Sequence, residues 1–154
     1  MTEFDGGIDR MEELEFSEIV VKPTAEVWSV IGDFGALSRW AKAIEFERVE
    51  ICSDGIYRVI KHSSGKVFRE RLVDQGPDFY TYATERTGTD VYEATVAVKA
   101  VDSENTRIVL TVSFQPMAGV DVAALTEDIS IFFRGSLRAM KRALGVPRSA
   151  CPTE

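Results

Sequence analysis

Between residues 44 and 116 the chain carries six β-branched, apolar segments in succession, and no connection between them exceeds four residues. They are IEFERVEIC (44–52), IYRVIKH (56–62), VFRERLVD (67–74), FYTYATER (79–86), VYEATVAVKAV (91–101) and TRIVLTVSFQP (106–116). Turn formers fill the gaps: Ser53-Asp54-Gly55, Ser63-Ser64-Gly65, Gly76-Pro77-Asp78, Thr87-Gly88-Thr89-Asp90, and Asp102 to Asn105. A parallel neighbour needs a crossover of about a dozen residues or more, so these connections predict an antiparallel meander.

The flanks complete the layout. LEFSEIVVK (14–22) reads as a seventh strand ended by Pro23. PTAEVWSVIGD then predicts a helix with Thr24 as N-cap and Val27, Val30 and Ile31 on its apolar face, broken by Gly32. Asp33 is placed to cap a second short helix, FGALSRWAK, with Phe34, Leu37 and Trp40 on one side. After the strands, residues 121–145 repeat Val122, Leu125, Ile129, Phe132, Phe133, Ser136, Leu137, Met140 and Leu144 at helical spacing, and Gly145 followed by Pro147 stops the helix. One antiparallel sheet with its helices on one side is an α+β architecture. Seven twisted strands will curve around the long helix, and the inner face either packs solid or encloses a cavity.

A chain of 154 residues fits one domain. The expected division is a tail over 1–13, a domain over 14–145 and a tail over 146–154. The net charge of −7 disfavours a nucleic-acid partner, since phosphate binding needs a basic surface. Arg138, Lys141 and Arg142 cluster where cations complement a helix C-terminus. Cys52 and Cys151 have neither metal-ligand spacing nor a disulfide framework, and read as reduced thiols. No stretch approaches the roughly 18 apolar residues of a spanning helix, and MTEFDGGIDR has no apolar signal-peptide core. A cytoplasmic protein without membrane insertion is expected. There is no Ser/His/Asp set, metal cluster or phosphate-cradling glycine loop, so no metal and no cofactor are expected.

Charges within VFRERLVD pose a directional problem, because alternate strand residues face opposite sides. A three-residue hairpin loop with Gly65 in a left-handed position pairs His62 with Lys66, Ile60 with Phe68, Arg58 with Glu70, and Ile56 with Leu72. Ile56, Arg58, Ile60, Phe68, Glu70 and Leu72 then share the apolar face. Tyr57, Val59, Lys61, Val67, Arg69 and Arg71 share the other. A one-residue slip would set Arg58 against Arg71. Glu70 is therefore expected to point inward with Arg58, and Arg69 and Arg71 outward. By the same alternation Tyr80, Tyr82 and Thr84 share a face, as do Tyr92, Ala94, Val96 and Val98, and Ile108, Leu110, Val112 and Phe114.

The order of elements, with AEVWSVIGDFGALSRW, FRERLVD and a long terminal helix, resembles the START-like or SRPBCC helix-grip superfamily over about residues 14–145. The polyketide cyclase/dehydratase-like subgroup is the nearest in pattern. The matching positions are Val27-Trp28, Asp33-Phe34, Trp40, Arg58, Glu70-Arg71-Leu72, Tyr82, Tyr92 and Phe114. Relatives commonly carry Trp-His-Pro or Trp-x-Pro where this chain has Trp40-Ala41-Lys42. The resemblance implies a hydrophobic small-molecule cavity, but the fold hosts enzymes, carriers and receptors alike.

These readings converge on a candidate site. Arg58, Glu70 and Tyr82 are the candidate catalytic groups: Arg58 to bind a carbonyl or enolate oxygen, Glu70 to orient it or move a proton, and a tyrosine made acidic by the cation to supply one. Trp40, Tyr80, Tyr92, Leu110, Phe114, Phe133 and Met140 are the candidate substrate-binding residues. A purely structural Arg58–Glu70 pair is the alternative, though buried pairs are rarely net stabilisers. His62, the single histidine, falls at a hairpin tip. The expected function is cofactor-independent cyclisation or dehydration of a hydrophobic, polyketide-like or aromatic carbonyl substrate. The alternative is a carrier or sensor of such a molecule. Either is compatible with a homodimer.

Overall fold

The computed structural model of the chain describes residues 10–145; the outer parts of both expected tails, with Cys151 and Pro147, lie outside the described residues. Seven strands form one antiparallel sheet: β1 (Glu12–Val20), β2 (Ile44–Cys52), β3 (Gly55–His62), β4 (Val67–Gly76), β5 (Phe79–Ala83), β6 (Thr89–Ala100) and β7 (Thr106–Pro116). Their order across the sheet is β1-β7-β6-β5-β4-β3-β2, so the meander is continuous and β1 closes it beside the last strand. β1 begins two residues before the expected domain start because β7 is long enough to pair Glu12 and Glu13 with Phe114 and Ser113.

The hairpin register is the expected one. Arg58 pairs with Glu70 and Ile60 with Phe68. His62 donates its N–H to the Lys66 carbonyl at 2.8 Å, and Gly65 takes a positive φ of 96° in the loop. Alternation then sorts the strands. Tyr80, Tyr82, Tyr92, Ala94, Val96, Val98, Ile108, Leu110, Val112 and Phe114 are all buried on the concave face. Arg69 and Arg71 lie exposed on the other.

Helix α1 (Thr24–Ile31) packs on β6, and helix α2 (Val122–Ala143) packs on β1 and β7. In α2 the Asp121 side chain caps the N-terminus by accepting from the Ala124 N–H at 3.2 Å. Ile129, Phe133, Leu137, Met140 and Leu144 form the buried stripe, and the Phe133 ring stacks on Phe16 of β1 at 5.7 Å. Lys141 near the far end bridges to Glu18 of β1 at 3.0 Å.

Five local expectations are corrected. The second helix is one 3₁₀ turn, Leu37–Arg39. Asp33 does not cap it; its carboxylate turns back to the Gly35 N–H at 2.8 Å. Gly35 then passes so near β2 that a Cβ there would sit 2.6 Å from a Val49 methyl, which leaves no room for a full helix. Thr24 is the first helical residue rather than the cap, and its hydroxyl hydrogen-bonds Thr106 at 3.0 Å. Phe132 is half exposed, because successive helical residues lie about 100° apart and Phe133 holds the sheet-facing position. Val122, also expected on the stripe, is 40% exposed.

Candidate active site

Arg58 rises from β3 into the concave face and is 3% exposed. Its Nε donates to Glu70 Oε1 at 2.8 Å, and its Nη2 lies 2.8 Å from the same oxygen. Its Nη1 donates to the Phe34 carbonyl at 3.0 Å and to the Tyr80 hydroxyl at 3.3 Å. The Phe34 and Tyr82 rings lie 4.5 Å and 4.6 Å from the guanidinium carbon, with the Tyr80 ring at 5.5 Å. These contacts engage most of the five guanidinium donors. Arg58 is thus held on all sides, and little of it remains to bind a second oxygen.

Burial works against the Arg58 charge, yet Tyr80, Glu70 and Tyr82 around it hold its pKa above the ordinary value. The tyrosines move opposite to expectation. Burial raises the Tyr80 pKa and outweighs the pull of Arg58. Burial also lifts Tyr82 well above a free phenol, with the Glu70 charge adding to the rise. Tyr92 is pushed up to about 12, chiefly by burial. A cation makes a phenol more acidic only if it outweighs the loss of water, and here it does not. These hydroxyls are neutral hydrogen-bond donors at ordinary pH, not acidic ones.

Among the described residues, several polar atoms at this site have no hydrogen-bond partner. Among the described residues, Trp40 Nε1 is the buried side-chain nitrogen that lacks one. Glu70 Oε1 takes both Arg58 donors, while Oε2 has no bond among the described residues and the side chain keeps 13% exposure. The Tyr82 and Tyr92 hydroxyls are likewise without a hydrogen bond. Phe68, on the same face of β4, is 37% exposed.

The remaining candidates divide. Tyr80 and Tyr92 stand with Arg58, Glu70 and Tyr82 along β3 to β6. Leu110, Phe114, Phe133 and Met140 belong to the apolar core, at 3% exposure or less. Open concavities among the described residues include one of about 510 Å³ beside Met117–Val122 and one of about 490 Å³ between Trp28, Phe34, Val49, Ile56 and Leu72. Neither is lined by Trp40, Tyr82, Tyr92, Leu110, Phe114, Phe133 or Met140. The second lies over the segment whose Phe34 carbonyl receives Arg58. His62 lies at its hairpin tip as expected, with Nδ1 engaged by the Ser64 hydroxyl and N–H. Sequence reasoning missed the Phe34 carbonyl, because a backbone acceptor leaves no mark in residue type. It also passed over Arg86, whose guanidinium carbon lies 5.9 Å from the Tyr92 ring and 6.0 Å from the Phe132 ring. Among the described residues no group of three His, Cys, Asp or Glu is placed to hold a metal, and no helix is long and apolar enough to cross a membrane.

A curved seven-stranded antiparallel sheet closed by a long C-terminal helix is the helix-grip fold. Residues 11–145 match the model of the polyketide cyclase/dehydrase and lipid transport family, and the chain belongs to that family. Its fold is similar to a START superfamily protein from Mycobacterium smegmatis (TM-score 0.71, 11% identity, covering 86% of this chain and 97% of that one). It is also similar to the di-domain ARO/CYC protein BexL from a biosynthetic pathway (TM-score 0.76, 15% identity, 87% of this chain and 46% of that one). The Zhui aromatase/cyclase from a Streptomyces species superposes with a TM-score of 0.64 at 17% identity, over 88% of this chain and 92% of that one. At these identities the likeness is one of fold. No curated protein matches the chain significantly.

Proposed function

We propose that the protein is a cofactor-independent cyclase or dehydratase acting on a hydrophobic, polyketide-like or aromatic carbonyl compound on the concave face. The observation that carries this reading is the state of Glu70: one oxygen is fixed by a buried cation and the other is unpartnered. Such a carboxylate is oriented by one oxygen and leaves the other to act as a base. Oε2 would take a proton from a carbon between two carbonyl groups. The enolate carbon would then attack a further carbonyl carbon, forming the ring bond. Glu70, now protonated, would return its proton to the new alkoxide. Taking a second proton from the carbon beside the new hydroxyl and passing it to that hydroxyl would release it as water and leave a carbon–carbon double bond, completing a dehydration. Tyr82, kept neutral by burial, would donate a hydrogen bond to the enolate oxygen. Trp40 Nε1–H is a second unused donor for a ligand carbonyl.

The test is Glu70→Gln, assayed on a short poly-β-ketone thioester. Turnover is expected to fall about 100-fold or more, the usual scale for losing a general base, while binding of a neutral hydrophobic dye is retained. Unchanged turnover would remove Glu70 from the chemistry. The family description pairs cyclase chemistry with lipid transport, which supports a second reading as a non-catalytic carrier or sensor. A wild-type protein that binds such compounds and never converts them would decide for the carrier.

A further inference from the structure

Arg86 stands out among the cations of this acidic chain. It lies in the connection from β5 to β6 and is partly buried. The guanidinium lies near the Tyr92 ring on the sheet and the Phe132 ring on α2, so it spans the gap between the two. It has neither a hydrogen bond nor an ion pair among the described residues. The backbone that carries it is held firmly. Its carbonyl accepts from the Thr89 N–H at 3.1 Å and the Thr89 hydroxyl at 2.7 Å. Two residues on, Gly88 has a φ of +89°, and a Cβ there would sit 3.3 Å from a Leu125 methyl of α2. The Gly88 carbonyl also accepts from the Met117 N–H at 2.8 Å.

A firmly mounted arginine with its side-chain donors unused among the described residues, near two aromatic rings one of which, Tyr92, carries a hydroxyl also without a hydrogen bond, is built to receive an anion. An aromatic ring can hold the cation in place, but it uses none of the guanidinium N–H groups. On the concave face the carboxylate is Glu70, one oxygen of which is already taken by Arg58. Most of the remaining buried side chains on that face are apolar or phenolic.

We infer that Arg86, with the Tyr92 hydroxyl, is a recognition site for the carboxylate of the ligand, so that the molecule bound is a hydrophobic acid with its anionic end at Arg86 and its carbonyl-bearing body toward Glu70 and Tyr82. This rests on the reading that the concave face is the ligand site, and it adds the substrate class. Glu70 would repel a carboxylate placed at the other end, so the two charges set the direction in which the ligand lies.

The test uses two fluorescent probes with the same ring body. 8-Anilinonaphthalene-1-sulfonate carries one anionic group, and N-phenyl-1-naphthylamine carries none. The wild-type protein is expected to bind the anionic probe more tightly. Arg86→Met should weaken that probe about tenfold, the scale of one charge-assisted contact, and leave the neutral one unchanged. Arg134→Met removes the same charge from an exposed site near Phe16 and should leave the ratio of affinities as in wild type. In competition, 2-naphthoate should displace the anionic probe from wild type better than 2-naphthamide, and lose that advantage in Arg86→Met. If both probes bind and Arg86→Met leaves their ratio unchanged, the assignment of Arg86 is wrong while the ligand site stands. If neither probe binds, the ligand site itself fails and this inference fails with it.

Discussion

At the scale of single residues, the Arg58–Glu70 pair carries the clearest energetic consequence. Arg58 is 3% and Glu70 13% exposed, so removing either leaves a charge with little water to replace its partner. Arg58→Met or Glu70→Leu alone should cost about 3–5 kcal/mol in urea unfolding, and the double variant should recover most of that loss, because the desolvation penalty leaves with the charges. A double variant as unstable as the worse single one would show that the surrounding rings depend on the cation for their packing. Tyr92 offers a separate test in alkali. Its folded pKa of about 12 lies above the ordinary phenol value of 10. The folded state therefore binds that proton more tightly, and the associated stability is fully present below pH 10. It is lost as pH rises from about 10 toward 12, by about 2–3 kcal/mol for a shift of this size. Tyr92→Phe should flatten the decline in urea midpoint over that window. An identical decline in the variant would assign it to other groups.

Among elements, α2 has the most to lose. Its stripe of Ile129, Phe133, Leu137, Met140 and Leu144 is the helical contribution to the core. Leu137→Ala should cost about 2–5 kcal/mol, whereas Phe132→Ala, at a half-exposed position, should cost far less. Asp121→Ala removes the N-cap and should cost about 1 kcal/mol. Denaturant titration of the three variants checks the ranking; a Phe132 variant as damaged as Leu137 would mean that its contacts with Phe133 and Arg86 matter more than its exposure indicates. In α1 the limiting position is Gly32, where a Cβ would lie 2.3 Å from the Trp28 ring. Glycine there is what allows that indole to fold over the helix end and face Tyr80 at 6.3 Å.

For the whole molecule, topology makes the first strand depend on the last. β1 pairs with β7, joining residues as far apart as Glu12 and Phe114, and α2 lies across both. Contacts of such separation place folding in the millisecond-to-second range. A chain ending at Asp121 would leave Phe16, Leu110 and Phe114 without their helical cover. It should give the collapsed amide dispersion of an unfolded protein in an NMR spectrum, and a well-dispersed spectrum would show that the sheet stands without its helix. Binding should also be visible as stability. N-phenyl-1-naphthylamine at 100 times its Kd should raise unfolding free energy by about 2.7 kcal/mol, read as a higher midpoint in thermal unfolding.

The layout was legible in the sequence because it rests on periodicity and turn chemistry. Short glycine-bearing connections impose antiparallel neighbours, and alternation sorts Tyr80, Tyr82, Tyr92 and Phe114 to one face without knowledge of any contact. The facing of Glu70 and Arg58 was legible for the same reason: Ser63-Ser64-Gly65 admits one sensible register. What tertiary structure alone decided was the use of each donor and acceptor. No local pattern says that the Phe34 carbonyl completes the shell of Arg58, or that burial rather than a cation governs the tyrosines. The short helix expected at Asp33 gave way to the close passage of Gly35 over Val49, which is set by β2 and not by local propensity. Arg86 in sequence is one more charged residue beside a turn. Only the meeting of sheet and helix places it against Tyr92 and Phe132 with no counter-ion, because three-dimensional proximity between residues 86 and 132 has no one-dimensional signature.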